Sequence, residues 1–173
     1  MTVKKVTDEF GKQAALKIRN DVFVVEQHVD PALEWDEFDK MDSVVMFVDY
    51  AEDGTPLATG RFRVTDGYGK VERICTQKIA RGTGSGRRIM EAIESEAKTR
   101  GVTTLKLGAQ VTAIPFYEKL GYEICSDLFL DAGIEHKEMK KTNKIVNKNS
   151  YFFYIEEITI FLLSPFPRSP FHK

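Results

Sequence analysis

With 173 residues, 42% hydrophobic and 29% charged, the chain has the make-up of one soluble globular domain, long enough to bury a core without disulfides or metal. Lysine and arginine total 25 against 26 aspartates and glutamates, a net charge of −1 that leaves no cationic field for nucleic acid or an anionic membrane. The charge balance disfavours a nucleic-acid-binding module.

In chain order, Asp8 caps an expected helix over Glu9–Val25, with Phe10, Ala14, Ile18 and Val22 four apart on one face. The acidic, aromatic stretch Asp30–Asp42 reads as a loop. Ser43–Tyr50 reads as a strand, Asp53-Gly54 as a hairpin turn, and Leu57–Thr65 as the returning strand. A second turn at Asp66-Gly67 leads into a strand over Lys70–Gln77. The glycine-rich turn Arg81–Gly86 then opens a helix over Arg87–Arg100, with Ile89, Met90, Ile93 and Ala97 on one face and Gly101 as its stop. A strand over Thr103–Gly108, a short helix from Pro115 to Gly121, and two closing strands, Tyr122–Leu130 and Ile134–Lys141, complete the pattern. This order predicts an α/β (α+β) fold: a mixed sheet with helices on both faces. Residues 1–141 form one domain in this reading, and 142–173 an extension of different composition.

Cys75 and Cys125 are too few for a secreted disulfide framework, and their apolar strand surroundings predict buried free thiols in a reducing compartment. Met1–Lys5 lacks the apolar core of a signal peptide, and the apolar run Tyr151–Leu163 is too short for a bilayer span and carries Glu156 and Glu157. A soluble cytoplasmic protein is expected. A homodimer is compatible with the sequence.

The informative stretch runs from Ile74 to Arg88: a strand, a turn with glycine at Gly82, Gly84 and Gly86, and a helix directly behind it. Glycine lets successive amides point inward and a diphosphate approach the backbone, and the helix start adds partial positive charge. Arg87 and Arg88 oppose that dipole, so they read as partners for an anion. A nucleoside-triphosphate loop would end in Gly-Lys-Ser/Thr, where this chain has Gly86-Arg87-Arg88. A dinucleotide fold would need Gly-x-Gly-x-x-Gly and an acid closing the next strand, where this chain has Gly108-Ala109-Gln110. A purely structural strand-to-helix turn is the bland alternative.

Arg81-x-x-Gly84-x-Gly86 resembles the acetyl-CoA pyrophosphate motif of GNAT acetyltransferases, and Phe116-Tyr117-x-x-x-Gly121-Tyr122 resembles their second motif, in the same order and on the matching elements. With Arg19–Gln27, Ala58–Arg63 and Gly133-Ile134-Glu135-His136, the chain is similar over about residues 1–141 to the ElaA/YjcF-like branch of that superfamily. The resemblance implies a mostly antiparallel central sheet with a splayed parallel strand pair. It implies acetyl-CoA as cosubstrate, no resident metal, and a small-molecule or peptide amine as acceptor. The backbone of Ile74, Cys75 and Thr76 would pair with pantetheine, and an amide there would stabilise the oxyanion. The turn Arg81, Gly82, Thr83, Gly84, Ser85 and Gly86 would take the pyrophosphate, with Arg87 assisting, while Gln110, Phe116 and Tyr117 would border the thiol end.

Tyr117 matches the family's usual general acid, against the alternative of a packed tyrosine. Glu72 is the candidate base, against an exposed carboxylate paired with lysine. Glu26, Arg61 and Arg63 are rival site-lining charges. His28 and His136, with only His172 besides, make no metal site. The acidic excess at Asp30, Glu34, Asp36, Glu37, Asp39 and Asp42 suits a cationic amine near the acceptor entrance. An acyl-CoA-binding regulator without catalysis is the competing function.

Overall fold

The computed structural model describes residues 1–142, so the expectations for the stretch from 143 to 173, including the apolar run Tyr151–Leu163, lie outside the described residues. Seven strands are described: β1 (Thr2–Lys5), β2 (Val45–Tyr50), β3 (Pro56–Thr65), β4 (Tyr68–Thr76), β5 (Thr104–Gln110), β6 (Glu123–Asp131) and β7 (Ile134–Thr142). They form one sheet in the order β1-β2-β3-β4-β5-β7-β6, antiparallel throughout except for the β4–β5 pair. The helices are α1 (Glu9–Arg19), α2 (Pro31–Glu34), α3 (Ser85–Thr99) and α4 (Ile114–Glu118). None of the described helices is long and apolar enough to cross a membrane.

The two turns read from sequence hold the meander together. Asp66 (φ 45°) and Gly67 (φ 79°) both adopt positive φ, as a two-residue hairpin of the type that matches strand twist requires. The α3 stripe is as expected: Ile89, Met90, Ile93 and Ala97 are fully buried against Phe62, Leu105 and Met139.

Elsewhere the structure corrects the reading. The expected helix over Glu9–Val25 is α-helical only to Arg19 and continues as a π-helical segment, Asn20–Glu26, whose Gln27 amide donates to the Val22 carbonyl at 3.0 Å. The buried face of α1 runs through Gly11, Ala15 and Ile18 and on to Val22, in steps of four, three and four, and a stripe of strict four-residue steps drifts off that face, so Phe10 is 78% exposed. The acidic stretch read as a loop contains α2, started by Pro31 behind Asp30, whose carboxylate accepts from the Ala32 amide at 2.8 Å, and a 3-10 turn over Glu37–Lys40. The edge strand β1 is too short to show a periodicity. Cys75 is buried, but Cys125 is exposed, because β6 is the outer edge of the sheet and almost all of it lies open.

One irregularity positions the site. Along β3–β4 the register passes from Thr59↔Cys75 to Arg61↔Glu72, so Arg73 and Ile74 stand opposite Gly60 alone. Arg73 takes φ 54° in this bulge. The bend carries β4 away from β5, and the parallel pairing is confined to Gly69↔Leu105 and Lys70↔Lys106. Beyond Lys70 the two strands diverge toward their C-terminal ends.

Gly69 stands where the strands part. A Cβ there would come within 2.6 Å of both Leu105 Cδ2 and Phe62 Cε2, two fully buried side chains. Gly69→Val is therefore expected to destabilise the protein by about 1–3 kcal/mol through overpacking. Chemical denaturation checks this, and an unchanged midpoint would show that this apex has room to spare.

Candidate active site

The divergence of β4 and β5 leaves a cavity of about 700 Å³. Ile74, Cys75 and Thr76 line one wall, Leu107, Gly108 and Gln110 the other, and Ala113, Phe116 and Tyr117 close one end. Every residue assigned from the sequence to catalysis or cofactor binding lines this cavity except Thr83, whose hydroxyl donates to the Ala80 carbonyl at 2.7 Å.

At the glycine turn, Gly82 (φ 80°) and Gly84 (φ 84°) occupy the left-handed region, and Gly84 is the N-cap of α3. The amides of Ser85, Gly86 and Arg87 have no acceptor among the described residues, while Arg88 closes the first intrahelical bond to Gly84 at 3.0 Å. Three free donors at the start of a 15-residue helix are suited to an anion. The side chains here are braces. Ser85 Oγ donates to Asp49, and Arg88 binds the same carboxylate, fully buried on β2, at 2.7 Å. Arg81 forms a fork with Glu26, 2.7 Å on each arm, and Arg87 is exposed beside Glu91. The backbone is thus held open to an anion while the hydroxyls face inward.

Across the cleft, Gln27 and Gln110 bond to each other, the shorter contact at 2.9 Å. With Asp21 accepting from Gln77 at 2.9 Å and Glu26 holding Arg81, the π-helical segment and Gln27 grip both lips of the split. Sequence reasoning placed Glu26, Arg61 and Arg63 as rivals lining the site; none of the three lines the cavity, and each holds a residue that does.

Tyr117 is carried by α4, which begins with Pro115 at its first turn and ends before Gly121 at φ 84°. Its ring packs edge-on against Phe116 and Tyr122, at 5.0 and 6.1 Å. Burial, with the Cys75 thiol nearby, raises the pKa of its hydroxyl. A phenol so placed stays protonated and can donate. Burial likewise pushes the Cys75 thiol up, with Glu34 adding to it, so it remains a thiol.

Glu72 sits in a network of alternating charges. Arg19 contacts Glu34 at 2.5 Å and Asp39 at 2.6 Å; Arg61 contacts Asp36 at 2.6 Å, Asp39 at 2.8 Å and Glu72 at 3.0 Å. Arg63 and Lys70 add contacts to Glu72 at 3.1 and 3.3 Å, and Arg73 reaches Glu34 at 3.2 Å. Burial works to raise the Glu72 pKa, but hydrogen bonds from Arg63 and the charges of Arg61, Arg63 and Lys70 outweigh it and hold the carboxyl below its usual range. That environment disfavours Glu72 as a proton acceptor. Burial raises Glu34 despite Arg19. The acidic excess expected at the acceptor entrance is therefore largely taken up: Glu34, Asp36 and Asp39 are paired with Arg19, Arg61 and Arg73.

A sheet split between two parallel strands, with a helix-start anion site at its mouth, is the architecture of acyl-CoA-dependent acyl transfer. The chain matches the family described as "Acetyltransferase (GNAT) domain" over residues 6–143. It is 41% identical over 141 residues to the uncharacterized protein YyaT of Bacillus subtilis, covering 82% of this chain and 95% of that one. It is 43% identical over 128 residues to the uncharacterized N-acetyltransferase YjcF of the same organism, covering 73% and 89%. The structure of a Lactobacillus plantarum protein described as an N-acetyltransferase superposes with a TM-score of 0.76 at 28% identity, over 83% of this chain and 98% of that one. The chain belongs to the GNAT acetyltransferase family and is an acyl-CoA-dependent N-acetyltransferase.

Gly84→Val tests the turn. A β-branched residue at positive φ is strained by about 1–3 kcal/mol and obstructs approach to the amides. Coenzyme A affinity, read by calorimetry well below the melting temperature, is expected to fall tenfold or more, on the order of the 1.4 kcal/mol that one decade represents. Unchanged affinity in a folded variant would remove this turn from the site.

Proposed function

We propose that the enzyme transfers the acetyl group of acetyl-CoA directly to a primary amine, with Tyr117 as the acid for the departing thiolate. The observation that carries this reading is the unpaired edge of β4: beyond Lys70 it has no partner on the β5 side, so backbone groups in the segment Ile74–Thr76 face a cleft long enough to take an extended chain. Buried backbone donors and acceptors need partners. Pantetheine, with its two amides, supplies them as an added strand would.

The diphosphate of the cosubstrate is received by the amides of Ser85, Gly86 and Arg87, with Arg87 beside them. The thioester then lies toward Tyr117. An amide of β4 next to the bulge polarises the thioester carbonyl and stabilises the oxyanion as the amine attacks. The carbon–nitrogen bond forms, the carbon–sulfur bond breaks, and Tyr117 protonates the sulfur.

Transfer is measured with acetyl-CoA and a panel of primary amines, following free thiol and acetylated amine together. Tyr117→Phe keeps the ring packing and removes the donor. Coenzyme A affinity is expected to stay within a few-fold, while turnover falls by about ten- to a hundredfold, the lower half of what general acid catalysis supplies, because a thiolate leaves readily. Equal turnover in the variant, with chemistry rate-limiting, would make Tyr117 a packing residue.

A further inference from the structure

An amine is an ammonium ion at neutral pH and must lose a proton before it attacks, so the reaction needs a base. Glu72 is a poor one, with three cations on its carboxylate. His136 also lines the cavity. It lies on β7, paired with Gln110 of β5 on one side and Phe129 of β6 on the other, and is 9% exposed. Its Nδ1 is 2.8 Å from the Ile134 carbonyl oxygen. A carbonyl oxygen only accepts, so Nδ1 carries the hydrogen and the lone pair of the neutral ring is on Nε2. Phe129 stacks on the ring at 5.9 Å and 26°, which fixes its plane. Nδ1 makes the one described hydrogen bond of the ring, Nε2 makes none, and the residue lines the cavity.

We propose that His136 is the general base of the acetyl transfer. This rests on the transfer reading above. Nε2 accepts one proton from the acceptor ammonium, and the neutral amine attacks the thioester carbonyl. As the carbon–sulfur bond breaks, the sulfur takes the Tyr117 proton, and the remaining excess proton on nitrogen returns to the tyrosinate. His136 then releases its proton to solvent. One proton is lost per amide formed, which balances the reaction of an ammonium ion with a thioester.

By strand alternation and register, the charged groups sharing the His136 face are Asp131 and Glu123 on β6, Glu138 and Lys140 on β7 and Lys106 on β5, with Glu138 and Lys106 3.5 Å apart. Across the cavity stand Lys70, Glu72 and Arg73 of β4 and Glu34 of α2. Glu72 and Glu34 are matched by arginines, which leaves His136 and Asp131 as cavity-lining bases that no described cation holds; Asp131 is exposed at the end of β6, and His136 is the buried one.

The test is His136→Asn, whose amide nitrogen replaces Nδ1 as donor to Ile134 and leaves no base. Two probe amines separate the roles: n-propylamine, an ammonium ion at pH 7, and methoxyamine, a free base there. For the wild type, kcat/KM with propylamine is expected to reach a plateau well below the pH at which the amine itself becomes neutral. In the variant it is expected to fall by about a hundred- to ten-thousandfold near neutrality and to keep climbing until the amine itself is neutral. Methoxyamine transfer is expected to fall far less, and coenzyme A affinity to stay within a few-fold. Should His136→Asn lose its native circular dichroism, His136→Gln carries the same comparison. An unchanged pH profile, or equal losses on both amines, would overturn the assignment while leaving the transfer reading intact. A wild-type protein that binds acetyl-CoA and acetylates no amine would overturn both.

Discussion

The site depends on the left-handed backbone of Arg73. A non-glycine residue in that region costs roughly 1–2 kcal/mol, and here it places two residues of β4 opposite one of β3. The consequence is mechanical. β4 bends, its ladder to β5 stops after Lys70, and the backbone beyond is left without a partner in the sheet. A bulge of this kind re-aims a strand; here it converts the middle of a sheet into a cleft. The glycine turn then falls at the mouth of that cleft because it directly follows the same strand. One distortion thus sets the position of both the cleft and the glycine turn at its mouth.

The distortion is held from outside by charge. Arg73 contacts Glu34 and Asp36, and those carboxylates belong to a chain of contacts that runs through Arg19, Asp39 and Arg61 to Glu72, the residue next to Arg73 in sequence. Arg19 and Arg61 are almost wholly buried, so removing either would strand carboxylates in a poorly solvated interior. Five cations (Arg19, Arg61, Arg63, Arg73, Lys70) meet four carboxylates (Glu34, Asp36, Asp39, Glu72) in this network. The α2 region is thereby fastened over β3 and β4. The network's chemical effect is to lower the proton affinity of Glu72.

What was legible in the sequence was what repeats or what glycine marks. The α3 stripe, the two hairpin turns, the strand-to-helix turn and the Phe116–Tyr122 motif follow from periodicity and residue type, and they locate the cleft. The bulge left no such mark, since the residue at positive φ is an arginine where glycine would have been the signal. The π-helical segment was hidden for a related reason: the spacing from Phe10 to Val22 satisfies an α-helix as well. The role of Glu72 was undecidable from alternation alone. Its partners Arg61 and Arg63 lie on the neighbouring strand, and the register that brings them together is set by the hairpin between them. Cys125 sits in an apolar-looking strand, but burial is decided by whether anything covers the sheet edge, which lies in the topology.

The most direct test is a crystal structure of the protein with coenzyme A. The account predicts pantetheine hydrogen-bonded along Ile74–Thr76, between β4 and β5, with its diphosphate on the amides of Ser85, Gly86 and Arg87. Coenzyme A bound elsewhere, with β4 and β5 paired continuously past Lys70 and Lys106, would contradict it.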